Sequence, residues 1–180
     1  MEKEKSVLKC GAEYGLFFGI YLSVTFFSFI YSATSSLLSL VGLALFIGTP
    51  IVLGNLMYRF HTSHPNTSSF SSVWTSGSTT FIFGAMIWAA MSYTWLEFIE
   101  PGFIVTQAKE ALVLYENNAE LKNLEFTKAL RLAIENNSLP TPIEFSVQML
   151  WTSISIGMFT SLLITPIIRL FKIKNKQQQQ

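Results

Sequence analysis

Long apolar segments alternate with polar ones along the 180-residue chain, and charged side chains stand almost entirely in the polar segments. No Asp, Glu, Lys or Arg occurs between Glu13 and Arg59, between Arg59 and Glu97, or between Glu144 and Arg169. A helix that crosses the hydrocarbon core of a bilayer needs about 20 mostly apolar residues. The first gap has room for two such helices and each later gap for one. The pattern therefore predicts an all-α integral membrane protein with four transmembrane helices.

The polar segments divide the chain into elements of a single membrane domain over residues 1–180. Residues 32–36 are predicted as a short turn, and the Ser- and Thr-rich residues 60–72 as a loop. Residues 173–180, rich in Lys and Gln, are expected to form a flexible tail. The predicted spans cover about residues 11–31, 37–58, 73–96 and 145–168.

Residues 97–144 are predicted as a helical insert between spans three and four. Apolar residues recur there at the spacing of one helix face, in two runs separated by Asn117 and Asn118. Each run predicts a short helix, and each apolar face is narrow enough to need a covering surface. The runs are Ile104, Ala108, Ala111, Leu112 and Tyr115, followed by Phe126, Leu130, Ala133 and Ile134.

The distribution of charge predicts the orientation. Eight of the twelve Lys and Arg residues stand near the two termini or at Arg59, together with three glutamates. The segment 97–144 carries four basic residues beside eight glutamates, a net charge of minus four against plus five elsewhere. Because Lys and Arg in short flanking loops favour the cytoplasm, we expect both termini inside and the insert outside. An alternative is a cleaved signal peptide with Tyr14–Tyr31 as its apolar region, but glutamates precede it and no small-residue cleavage site precedes Ser36.

Small residues recur every four positions on two of the predicted spans. Such seams let helix backbones approach closely in lipid. We expect these faces to pack, either against each other or across a homodimer. The packing candidates are Gly11, Gly15, Gly19 and Ser23 on span one, and Ser153, Gly157, Ser161 and Thr165 on span four. Pro50 and Pro166 are candidates for kinks, since proline removes an amide donor inside a helix.

Residues that carry chemistry are scarce. No ionisable side chain lies at hydrocarbon depth, which disfavours a proton-coupled pump. His61 and His64 have a ligand-like spacing but lack further ligands near them, and we interpret them as part of a solvated loop. Neither a phosphate-binding loop nor a basic surface for nucleic acid is present. We therefore predict no catalytic residue, no metal ion and no cofactor.

Two strings resemble the bacterial inner-membrane family called domain of unknown function 4199, found in Bacteroidetes-type bacteria. The strings are residues 12–19 (AEYGLFFG) and 93–104 (YTWLEFIEPGFI). The resemblance implies a multi-pass protein of the bacterial inner (cytoplasmic) membrane with no known activity. It also implies an accessory role in the cell envelope, with an envelope protein such as a glycosyltransferase as partner.

Three functions stay open at this point. We expect a non-enzymatic scaffold or accessory subunit that contacts the bilayer and either a second copy or an envelope protein through the acidic insert. The alternative is a small transporter or lipid-handling protein with a path between spans two and four, near Pro50, Pro166 and the hydroxyls of Thr152, Ser153, Thr160, Ser161 and Thr165. A membrane enzyme would have only Glu97 and Glu100 as paired carboxylates near the bilayer, and we expect those to form an outward-facing rim.

Overall fold

The computed structural model describes residues 2–33, 35–64, 69–118, 120–122 and 124–177, with side chains from Val7 to Leu170 except Ala33. A 3₁₀ turn, Tyr31–Ala33, follows the first helix, and a π-helical turn, Trp95–Ile99, follows the third. No strand occurs in these ranges. The α-helices are α1 (Glu2–Ile30), α2 (Ser36–Ser63), α3 (Phe70–Thr94), α4 (Phe103–Asn117), α5 (Glu125–Glu135) and α6 (Pro142–Gln177).

Four helical segments are long and apolar enough to cross a membrane. They are Val7–Ile30, Ser36–Ser63, Phe70–Ile99 and Pro142–Leu170. The predicted all-helical class and the four candidate spans are therefore confirmed. Between 11 and 33 % of the most apolar window of each segment is buried in the isolated chain, as expected for helices that keep part of their surface for lipid.

The polar segment predicted as a loop over residues 60–72 is largely helical at both ends. The helix α2 continues to Ser63 and α3 begins at Phe70, while residues 65–68 lie outside the described part of the chain. The hydroxyl Oγ of Ser69 accepts a hydrogen bond from the amide of Ser72 at 3.2 Å. A serine that looks like a loop residue in the sequence thus caps the start of a helix.

The last helix also extends beyond the predicted span at both ends. It begins at Pro142 because Thr141 and Glu144 form a capping box: Glu144 Oε2 accepts from the Thr141 amide at 2.9 Å, and Thr141 Oγ1 accepts from the Glu144 amide at 3.4 Å. Proline suits the first helical position because it lacks an amide hydrogen. At the other end α6 reaches Gln177, so most of the predicted tail is helical, and residues 178–180 lie outside the described ones.

The chain divides into two compact units. The first unit contains residues 1–90 and 149–180, and the second contains residues 91–148, which include the predicted insert. The core of the first unit is apolar and centred on Phe18, whose ring contacts the edge of Phe81 with centroids 5.1 Å apart. Leu53, Met57, Val73, Ala85 and Ile168 complete this core.

Candidate functional site

The small-residue seam of α1 faces α3. A methyl group placed on any of its three glycines would overlap a side chain of α3 at the Cβ atom, where no rotation relieves the clash. The contacts step along both helices by four residues, so α1 and α3 run parallel. The pairs, with the distance from the added methyl to the partner's Cβ, are Gly11–Thr79 at 2.7 Å, Gly15–Phe83 at 2.5 Å and Gly19–Ile87 at 2.8 Å.

A third seam of small residues, Ser76, Thr80 and Gly84, lies on α3 opposite the glycines of α1. The same methyl groups on Gly15 and Gly19 would lie 3.1 Å from the carbonyl oxygen of Thr80 and 2.9 Å from that of Gly84. Two helix backbones therefore meet with little side chain between them, as small residues allow in membranes. The four-residue spacing of this seam is visible in the sequence, although only the seams on spans one and four were predicted from such spacing.

The small-residue seam of α6 also faces α3. A methyl group on Gly157 would overlap the ring of Phe81, and one on Gly77 would lie 2.9 Å from Ser161 Oγ. Trp74 Nε1 donates to the carbonyl oxygen of Met158 at 3.3 Å. From the Phe81–Gly157 pair to the Gly77–Ser161 pair, the position moves back along α3 and forward along α6, so α6 is antiparallel to α3.

The two seams predicted to pack thus face α3 rather than each other, because α3 carries small residues on both sides. Of the remaining candidates, Ser23 is buried and donates to the Gly19 carbonyl at 2.9 Å. Thr165 is fully buried and donates to the Ser161 carbonyl at 2.7 Å. Because α1 is parallel and α6 antiparallel to α3, the start of α1 and the end of α6 lie at the same end of the first unit.

Each candidate kink proline follows a threonine that bonds its own helix. In α2, Thr49 Oγ1 donates to the Leu45 carbonyl at 3.1 Å, and in α6, Thr165 Oγ1 donates to the Ser161 carbonyl at 2.7 Å. These carbonyls are next to the ones that Pro50 and Pro166 leave without a backbone donor. Threonines of this kind commonly accompany prolines in membrane helices. Both helices continue through their prolines.

A cavity of about 460 Å³ opens between the four helical segments of the first unit. Its walls are mostly aromatic and aliphatic, and the ring of Phe26 meets the edge of Trp88 with centroids 5.9 Å apart. Of the packing candidates, only Ser153 lines it. The lining is Leu22, Thr25, Phe26 and Phe29 of α1, Phe46, Ile47, Thr49 and Pro50 of α2, Phe81 and Trp88 of α3, and Ser153, Ile156 and Thr160 of α6.

A second space, a groove of about 570 Å³, lies between α2 and α6. Pro50 lines both the cavity and this groove, so the two spaces are neighbours along α2. Gly54 forms part of the groove, and a methyl group there would be in ordinary contact with Ile164 at 3.6 Å. Asn55 and Tyr58 supply its polar atoms at the end nearest Arg59.

In the second unit, α4 and α5 form a hairpin that is held by polar contacts and by the edge-to-face contact of Tyr115 with Phe126, whose ring centroids are 5.7 Å apart. Arg131 donates to Glu116 Oε1 from Nε at 2.9 Å and from Nη2 at 2.6 Å. Thr127 is buried and donates to the Leu121 carbonyl at 2.7 Å. No residue of α4 is buried, and Thr127 is the only buried residue of α5.

The helix α5 ends in a Schellman motif. Asn137 has a φ of 50°, the left-handed conformation that ends many helices. The amide of Ser138 donates to the Ala133 carbonyl at 2.9 Å, and the amide of Asn137 donates to the Ile134 carbonyl at 3.2 Å. The paired asparagines in the sequence therefore stop the helix.

The family model described as protein of unknown function (DUF4199) matches residues 13–169. The chain belongs to the DUF4199 family. The resemblance inferred from two short strings is thereby confirmed over most of the chain. Searches of curated proteins and of solved structures find no match, and the family description transfers no activity and no residue role.

The interpretation of the histidines as part of a solvated loop was wrong for His61 of this DUF4199 protein, whereas His64 is the partly exposed residue that follows α2. His61 is only 3 % exposed in the last turns of α2, and His64 stacks on Phe60 with ring centroids 5.0 Å apart. Both sit on or beside the helix because α2 extends past the predicted end at residue 58. Within the described part of the chain, no three His, Cys, Asp or Glu side chains are grouped as a metal site would require.

Glu97 and Glu100 stand at the π-helical turn that ends span three. Both side chains are exposed. The amide of Glu100 donates to the Trp95 carbonyl at 3.0 Å, a bond five residues back. Trp95 is buried against the edge of Phe103, with centroids 5.0 Å apart. The turn therefore buries its aromatic side chain and leaves the carboxylates at the surface.

Proposed function

We propose that this DUF4199 protein is a non-enzymatic scaffold or accessory subunit of a cell-envelope complex in the bacterial inner membrane. Its contact surface would be the α4–α5 hairpin, on the side of the membrane opposite to both termini. A glycosyltransferase of the envelope is the partner that the family resemblance implies.

The observation that carries this proposal is the shortage of burial in the hairpin. Large apolar side chains of both helices are exposed, among them Leu114 at 69 % and Phe126 at 63 %. Exposed apolar side chains on an ordered element that buries almost nothing favour a surface that a partner covers. The Arg131–Glu116 ion pair and the Tyr115–Phe126 ring contact join α4 to α5 within the chain itself.

Co-purification of the full chain in a mild detergent tests the proposal. A scaffold brings down one partner at a fixed ratio, and the substitutions Leu114→Ser and Phe126→Ser remove that partner while the chain stays in the membrane. Gln107→Ser and Lys128→Ser are matched controls, since they change exposed polar residues of the same helices. Recovery of the chain alone under every mild condition would contradict the proposal, and a mass of twice the chain would identify a second copy as partner.

The second candidate is a small transporter or lipid-handling protein. It is favoured by the cavity and groove along α2 and α6, which Pro50, Ser153 and Thr160 line. A transporter of this kind moves a tracer across liposomes when purified alone, whereas a scaffold does not. The two candidates therefore differ in one flux measurement.

A further inference from the structure

The cavity of the first unit has the size and chemistry of a ligand site. Its volume of about 460 Å³ lies within the range of roughly 300–1,000 Å³ that is usual for small-molecule sites. Protein interiors are otherwise close-packed, and an empty space of this size would forfeit contacts for every side chain around it. An occupant that matches the walls would restore those contacts.

The walls select an apolar occupant. Three of the four hydroxyl groups at the cavity donate their protons to carbonyls of their own helices: Thr25 to Tyr21 at 2.9 Å, Thr49 to Leu45 at 3.1 Å and Thr160 to Ile156 at 2.8 Å. A polar solute would give up its hydrogen bonds to water and receive few in return. A hydrocarbon chain has no hydrogen bonds to give up when it enters the cavity.

The position of the cavity indicates that its hydrocarbon chain would come from a lipid of the bilayer. Every lining residue belongs to one of the four membrane-spanning segments. Several lining side chains are themselves exposed, including Phe46 at 63 % on α2 and Ile156 at 57 % on α6. The cavity is therefore open to the side, toward the hydrocarbon that surrounds these helices.

The neighbouring groove could hold the part of the lipid's hydrocarbon chain that lies outside the cavity. From Ile47 at the cavity to Arg59 the rise along α2 is roughly 18 Å, slightly more than half of the roughly 30 Å hydrocarbon thickness. The tail of a lipid in one leaflet covers about this depth. The polar atoms of Asn55 and Tyr58 stand at the end of the groove where the headgroup would lie.

We propose that the cavity binds the distal part of one hydrocarbon chain of a bilayer lipid, and that the chain runs along the groove between α2 and α6 with its headgroup at the Arg59 end. The site is formed by residues of the first unit, whereas the partner surface proposed above is formed by residues of the second. A lipid held there would fill the space beside Pro50.

Photo-crosslinking in the unmodified chain tests this site directly. The purified protein is reconstituted with a phospholipid that carries a diazirine near the end of one acyl chain, and the attached peptides are mapped. The expected crosslinks concentrate on residues 22–29, 46–50 and 153–160. Crosslinks spread evenly over exposed positions such as Leu163, which is 70 % exposed and outside the cavity, would overturn the proposal.

Native mass spectrometry with filled cavities gives an independent test. Ser153→Trp and Thr160→Phe place a ring in the cavity, and retention of one bound lipid is expected to fall about tenfold, as for a loss of about 1.4 kcal/mol. Leu163→Trp is the matched control on the same helix and retains the lipid. Equal retention in the filled variants and the control, with unfolding temperatures close to that of the original chain, would also overturn the proposal. These readouts are independent of partner co-purification, so either proposal can fail alone.

Discussion

Gly15 and Gly54 are both helical glycines of membrane-spanning segments, yet a side chain would meet different surroundings at the two positions. At Gly15 the added methyl overlaps Phe83 Cβ at 2.5 Å and approaches the backbone of α3. At Gly54 it only touches Ile164 at 3.6 Å, which is ordinary van der Waals contact. The same residue type is therefore required at one position and dispensable at the other.

We predict that Gly15→Ala destabilises the fold by about 1–3 kcal/mol, the usual cost of overpacking. The Cβ atom of Phe83 is fixed to its backbone, so α1 and α3 must separate to admit the methyl group. Gly54→Ala is the matched control and is expected to be neutral or slightly stabilising, because alanine is the better helix former. Thermal unfolding in detergent measures both, and equal unfolding temperatures for the two variants would contradict the close contact.

Asn137 allows a second test at the residue scale. Its φ of 50° costs an alanine roughly 1–2 kcal/mol, whereas glycine adopts it freely. We predict that Asn137→Ala increases hydrogen exchange of the α5 amides and that Asn137→Gly leaves it unchanged or lowers it. Equal hydrogen exchange of the α5 amides in the two variants would show that the left-handed conformation of residue 137 does not stabilise the end of α5.

The sequence identifies the residues that form close contacts, but it does not identify the residues that they contact. Spacing marked Gly11, Gly15 and Gly19 as one face, but spacing cannot identify the neighbour of a face. The matching seam on α3 was missed because Ser76 and Thr80 stand in a Ser- and Thr-rich stretch that also signals polar loops. The local pattern leaves both interpretations open, and the packing of α3 between two helices distinguishes them.

At the scale of elements, the sequence predicts how many helices there are and which of them are long enough to span a membrane. It does not predict where the helices end. The apolar periodicity ends before the helix does, since polar residues at a membrane surface continue a helix without cost. The caps at Ser69 and Thr141 mark the true starts. The Thr141–Glu144 spacing, with Pro142 between them, was a usable signal for the start of α6.

We predict that Thr141→Ala frays the first turn of α6 at a cost of about 0.5–2 kcal/mol, the usual value for the loss of a helix cap. The residue accepts the Glu144 amide and donates from its own hydroxyl to Glu144 Oε2 at 3.0 Å, so one substitution removes both contacts. Hydrogen exchange of the amides of residues 143–146 measures the effect. Thr141→Ser retains both contacts and is the control; faster exchange in both variants alike would contradict the capping box.

The contact between α3 and α6 predicts non-additive substitutions. Gly157→Ala places a methyl group where it overlaps the Phe81 ring, and Phe81→Ala leaves a cavity in the core. The double variant removes the clash and fills part of the space. We therefore expect it to be more stable than the sum of the two single changes in unfolding free energy predicts, by at least about 0.5 kcal/mol. Additive effects would mean that the two residues do not meet.

At the scale of the whole molecule, the separation of charge gave the architecture. Four spans could be recognised in three long stretches without charge because hydrocarbon excludes charged side chains, and the structure has four helices of the required length. The cavity could not be predicted, because it depends on how side chains from α1, α2, α3 and α6 meet. The division into two units likewise follows from contacts between residues far apart in the chain.

The most direct test of the account is the side of the membrane on which residues 97–144 lie. Cys10 is the only cysteine, so Cys10→Ser gives a background in which single cysteines at Ser63, Asn118 and Leu163 can be labelled one at a time. With a maleimide that cannot cross the inner membrane, we predict that the cysteine at position 118 reacts in intact spheroplasts and the one at 63 only after lysis. The cysteine at 163, within a span, should react in neither. Labelling at 63 before lysis, or protection at 118, would contradict the four-span topology with both termini inside.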